Sequence, residues 1–164
     1  MIQRPQSIFL LIAIISLMLA MMVPIWHKQK EEKIYAESEK TYCLNAWSMQ
    51  EISYGKPVHT TQFPYACIGW FSLLAVGMAT YELFRYNYRV MQIKLGTLNA
   101  LVMSMLLGYI LYVTTQQDEY LPLEGPGKYQ LGFLLLVVAS ASNVLANRYL
   151  RKDEKRVRAA DRIR

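Results

Sequence analysis

Four stretches of this chain contain no Asp, Glu, Lys or Arg, and they constrain the fold more than any other feature. They are residues 5–26, 57–81, 95–117 and 129–147, with lengths of 22, 25, 23 and 19 residues. A helix rises about 1.5 Å per residue, so about 20 apolar residues cross a hydrocarbon core about 30 Å thick. Charge is correspondingly scarce: 18% of the 164 residues are charged and 54% are hydrophobic, against about a quarter charged in a soluble domain. This pattern excludes a soluble globular domain, a disordered chain and a disulfide-dense secreted scaffold. It predicts an all-α integral membrane protein, a four-helix bundle forming one domain over residues 1–164. The expected helices lie at about 7–26, 63–86, 94–114 and 129–150, with a basic tail over 148–164.

The first run reads as a retained helix and not as a signal peptide. IFLLIAIISLMLAMMVPIW exceeds a signal core in length, and no small-x-small cleavage site precedes Pro24 and Trp26. Orientation follows from the Lys and Arg count. One side carries twelve basic residues (Arg4, Arg85, Arg89, Lys94 and eight in the tail) against four acidic ones, a net +8. The other side carries six basic residues against eight acidic ones, a net −2. Because cytoplasmic loops hold the basic excess, both termini are expected in the cytoplasm. The expected site is the inner (cytoplasmic) membrane of a bacterium.

Residues 27–62 then form a 36-residue extracytoplasmic loop. Its charged first half, HKQKEEKIYAESEK, suits a short solvated helix or a strand edge. Its second half alternates apolar and polar residues around Gly55-Lys56-Pro57, which leaves room for a small hairpin. The later loop QQDEYLPLEGPGK is expected to be an irregular turn.

Polar residues inside the apolar runs are the candidate site. Glu82, Asn99, Asn143 and Asn147, with Gln6, fall at one depth near the cytoplasmic surface once helix directions alternate. An interhelical clamp is the plainer reading of this layer, and a proton or solute relay the sharper one. Gly96, Ala100, Ser104 and Gly108 recur every four residues and predict close helix approach, within one chain or across a homodimer. Cys43 and Cys67 both fall on the extracytoplasmic side, as a structural disulfide or as two free thiols. No Cys-x-x-Cys, nucleophile elbow, Gly-rich phosphate loop or His-Glu-x-x-His motif occurs. His27 and His59 are not deep in a helix, which disfavours haem and zinc. No catalytic residue, cofactor or metal is expected.

The tail continues helix 4 with its basic side chains toward anionic headgroups or a partner subunit; nucleic acid is disfavoured. The basic cytoplasmic face so defined comprises Arg4, Arg85, Arg89, Lys94, Arg156, Arg158, Arg162 and Arg164. The opening MIQRPQSIFLL, the run NYRVMQIKLGTLN and the ending RKDEKRVRAADRIR resemble a family of four-helix inner-membrane proteins of Bacteroidota described as a domain of unknown function. The resemblance covers the whole chain and implies an inner-membrane protein with a cytoplasmic basic tail. It implies no catalytic residues. Two function classes follow: a non-catalytic accessory or scaffold subunit of a membrane assembly, and a small transporter or permeation element using Glu82 and the amide layer.

Overall fold

In the computed structural model, residues 5–29, 40–53, 56–85, 89–121 and 127–161 are described. These residues hold four helices: α1 (Pro5–Ala20), α2 (Ala66–Phe84), α3 (Arg89–Tyr120) and α4 (Leu131–Asp161). They pack in cyclic order, α1 on α2, α2 on α3, α3 on α4 and α4 on α1. The fold is nevertheless not all-α. Five strands, β1 (Trp26–Gln29), β2 (Lys40–Leu44), β3 (Met49–Ser53), β4 (Lys56–Thr61) and β5 (Lys128–Tyr129), form one antiparallel sheet in the order β4-β3-β2-β1-β5.

The sheet corrects the all-α expectation, and its cause is local. Pro24 cannot donate a helical hydrogen bond, α1 ends at Ala20, and the apolar run continues as a strand through Trp26. The hairpin expected around Gly55-Lys56-Pro57 is β3 paired with β4. A second reversal pairs Leu44 with Met49 and so joins β2 to β3. Tyr129, expected to open helix 4, instead pairs with Trp26 across the sheet. The charged segment 30–39 and residues 122–126 lie outside the described residues.

Connectivity puts the sheet where α1 and α3 end and where α2 and α4 begin. The junction meets a general need of helix N-termini, whose first N–H groups have no partner within the helix. Gly69 donates to the Ala46 carbonyl at 2.8 Å and Gly132 to the Pro24 carbonyl at 3.1 Å. Gly69 must be glycine for this approach, because a Cβ there would stand 2.6 Å from the Trp47 ring. Trp47 in turn meets Trp70 of α2 edge-on at 6.0 Å. Leu17, Ile25, Trp26, Leu44, Ile68, Met103, Leu106, Ile110 and Leu136 form a core that runs from sheet into helices.

At the opposite end, the start of α1 and the later part of α4 lie together, with Phe9 stacked on Tyr149 at 5.4 Å. The helix surfaces are apolar on the outside. Ile8, Ile15, Leu74, Leu98, Met105, Leu111, Leu134 and Val138 are exposed, while Glu82, Asn99 and Asn143 are fully buried. That inversion would be an aggregation liability in water and is the ordinary arrangement in lipid.

Candidate functional site

The site is assembled by three helices at the end remote from the sheet. Glu82 stands in the last turn of α2. On α3, Gln92, Gly96 and Asn99 are spaced by four and three residues and share one face. On α4, Asn143, Asn147 and Arg151 are spaced by fours and face α3. Gly96 lets the three helices meet. A Cβ there would lie 2.8 Å from Glu82 Oε1 and 3.2 Å from the Asn147 amide, so a carboxylate of α2 and an amide of α4 converge over the α3 backbone.

The amides spend their N–H groups on helix-to-helix bonds. Gln92 Nε2 donates to the Glu82 carbonyl at 2.9 Å, tying α3 to α2. Asn143 Nδ2 donates to the Gly96 carbonyl at 3.3 Å, and Asn99 Nδ2 to Asn143 Oδ1 at 3.5 Å. Asn147 Nδ2 reaches Thr97 Oγ1 at 3.2 Å, Arg151 Nη2 reaches the same hydroxyl at 2.9 Å, and Thr97 itself donates to the Ile93 carbonyl. What remains is a surplus of acceptors. Both Glu82 oxygens, Gln92 Oε1, Asn99 Oδ1 and Asn147 Oδ1 are buried without a hydrogen-bond partner. Native proteins rarely leave such groups unmet.

Beside the layer, a groove of about 210 Å³ opens between α3 and α4, lined by Thr97, Ala100, Val144, Asn147, Arg148 and Arg151. Its floor is apolar, and two arginines stand at its rim.

Among the sequence-predicted residues, Glu82, Asn99, Asn143 and Asn147 are therefore brought together, and Gln6 is also buried. Gln92 was not anticipated; its spacing to Gly96 and Asn99 was the available signal. Gly96 lies inside the layer and Ala100 on the groove, but Ser104 is exposed and a Cβ on Gly108 would meet nothing within 4 Å. A strict four-residue repeat drifts about 40° per step on a helix of about 100° per residue. The strip therefore winds away from the face that starts at Gly96. Met103, Leu106 and Ile110 take its place in the core.

Arg85 caps α2 with its guanidinium 5.7 Å from the Tyr81 ring centre. Lys94 and Arg156 are exposed. Arg89 opens α3 and Arg158 lies within α4, while Arg4, Arg162 and Arg164 lie outside the described residues. Cys43 and Cys67 are free thiols and not a disulfide, and burial pushes the Cys43 thiol up from its usual range. His27 contacts Gln130, and His59 contacts Thr61. Among the described residues, no group of three or more His, Cys, Asp and Glu is placed to hold a metal ion.

One buried charge escaped the sequence reading. Lys28 of β1, 3% exposed, pairs with Asp118 near the end of α3 at 3.2 Å and donates to the Asp118 carbonyl at 2.9 Å. Asp118 also accepts from the Gly127 N–H at 3.0 Å. A cation at a helix C-terminus meets the negative end of the helix dipole.

Fold and site together define a membrane-associated helical protein. Among the described residues, three helical stretches, Ala66–Phe84, Val90–Tyr120 and Leu131–Val157, are long and apolar enough to cross a membrane. The chain belongs to the family described as domain of unknown function DUF4293, which matches residues 2–163. No curated protein matches it.

Proposed function

We propose that this chain is a non-catalytic, multi-pass protein of the bacterial inner membrane, an accessory or scaffold subunit whose basic cytoplasmic face holds anionic lipid headgroups. In this reading α1 is a fourth span, completed by the apolar residues Met21 to Val23, and both termini are cytoplasmic. The sheet is a small extracytoplasmic platform. The +8 against −2 charge division supports this orientation.

The observation that carries the proposal is the groove at Thr97, Ala100, Val144, Asn147, Arg148 and Arg151. Its apolar floor suits an acyl chain, and a guanidinium fork suits a phosphate. Arg151 is already oriented by Thr97 at 2.9 Å, which lowers the ordering cost of binding. Basic side chains near an anionic surface contribute about 1 kcal/mol each.

Native mass spectrometry of the detergent-purified protein, with phosphatidylglycerol and phosphatidylcholine in competition, tests this. Wild type should retain the anionic lipid, and Arg148→Ala/Arg151→Ala should retain both alike. Equal retention by wild type would contradict the reading. Copurification in mild detergent would then name the assembly.

The permeation reading is the weaker one. A conduction path has polar residues across its depth, whereas the interior between the layer and the sheet is built mainly from Leu17, Ala75, Ala79, Met103, Leu106, Ile110 and Leu136.

A further inference from the structure

We propose that the buried layer is a binding site for one small monovalent cation, with Glu82 as its charged ligand and the side-chain oxygens of Gln92, Asn99 and Asn147 as neutral ligands. This goes beyond lipid binding at the groove and does not depend on it.

The unmet polar groups of the layer are all acceptors. Among the described residues, five buried side-chain oxygens lack a partner, while each amide nitrogen of Gln92, Asn99 and Asn147 is already bonded. An occupant must therefore accept electron density from oxygen and needs no acceptor of its own. Rotating an amide could exchange an oxygen for a nitrogen at Gln92, Asn99 or Asn147, but Glu82 has only oxygens to present. Those oxygens belong to a residue with no accessible surface.

Charge then narrows the class. A water molecule could donate to these oxygens, yet beside an ionised Glu82 it would leave the charge uncompensated, and only a bound cation or a proton on the carboxyl removes that cost. The arginine nearest in sequence, Arg85, sits against the Tyr81 ring, Arg151 reaches Thr97 on the groove, and neither is bonded to the Glu82 oxygens. One monovalent cation brings the site to neutrality. A divalent ion would leave one uncompensated positive charge in the same low-dielectric surroundings. Hard oxygen donors without thiolate or imidazole suit alkali and related ions over transition metals.

Room beside the carboxylate is scant, which suits a small ion. Glu82 Oε1 lies 2.8 Å, and Asn147 Cγ and Nδ2 3.2 Å, from the point where a Gly96 Cβ would stand, so the carboxylate sits directly on the α3 backbone. A side chain at 96 would take that space. Such an ion would tie α2, α3 and α4 together beside the amide bonds that already join them.

The experiment is thermal unfolding of the full chain in detergent, at fixed ionic strength, in sodium, lithium, potassium or choline chloride. Binding to the folded state alone raises Tm with ion concentration by mass action. Wild type should show a saturable rise with sodium or lithium that choline does not give. Glu82→Gln should keep its fold and lose the dependence. Gln92→Ala should raise the half-saturating sodium concentration by about tenfold, the loss of one good ligand. Radioactive sodium should be retained by wild type and lost from Glu82→Gln. Equal Tm in sodium and choline for wild type would overturn the proposal. So would a sodium response that survives in Glu82→Gln, or a Tm that answers to pH and to no cation, which would mean that the carboxyl holds a proton. If Glu82→Gln does not fold, an unchanged sodium midpoint in Gln92→Ala overturns it as well.

Discussion

At the sheet end, the Lys28 ammonium is 3% exposed and meets both the carboxylate and the carbonyl of Asp118, while Asp118 accepts a further N–H from Gly127. At the remote end, Glu82 is just as deeply buried, and neither of its oxygens has a partner. Both ends place a charge-bearing side chain between elements distant in sequence. A buried charge that is paired and hydrogen-bonded is part of the structure; one that is left open among acceptors calls for something outside the chain. The comparison separates the molecule into a self-sufficient junction, where sheet carbonyls and backbone N–H groups satisfy one another, and a layer whose polar groups remain incomplete.

The largest expected effect tests the closed end. Asp118→Ala leaves the Lys28 ammonium buried, and unfolding in detergent should show a loss of about 2–3 kcal/mol. That is below the usual cost of breaking a buried pair, because Asp118 is 36% exposed. A loss under 0.5 kcal/mol, on the order of an ordinary surface change, would show that the two ends do not differ as described. Gly69→Ala should come next, at about 1–2 kcal/mol, since its Cβ must displace the Trp47 ring that packs on Trp70. Loss of tryptophan fluorescence change on unfolding would report the displaced ring. The smallest effect is on the far side of the small-residue strip. Ser104→Leu should alter stability by about 0.5 kcal/mol or less, because Ser104 is exposed. A loss of several kcal/mol would mean that another helix covers this face.

The helices were legible because charge-free runs of membrane length have few alternative readings. Their ends were not. Hydropathy treats a helix and a strand alike, so the run through Trp26 lengthened α1 past Ala20 and hid β1. The polar segment Gln116 to Tyr120 concealed the last turn of α3, where Asp118 is used. Only the β3–β4 hairpin announced itself, through Gly55-Lys56-Pro57. β5 is two residues long and pairs Tyr129 with Trp26 across two intervening helices, a contact that no local pattern encodes.

The polar layer was legible for the opposite reason. Amides are costly in lipid and stand out against Leu, Val and Met, so Asn99, Asn143 and Asn147 were visible individually. Gln92 was not, because it lies among charged residues outside the charge-free run. Beyond Ala100 the four-residue strip leaves the core face of the single chain, because spacing alone ignores the drift of the helix.

The account depends most on the membrane lying between the sheet and the basic tail, with the sheet outside. Single cysteines at Lys128→Cys in β5 and Lys152→Cys in α4, both exposed positions, can be placed in a chain carrying Cys43→Ser and Cys67→Ser. Intact cells would be treated with a maleimide that cannot cross the inner membrane. The account predicts that position 128 is labelled at once and position 152 only after permeabilisation. Labelling of 152 in intact cells, or of both positions alike, would contradict it.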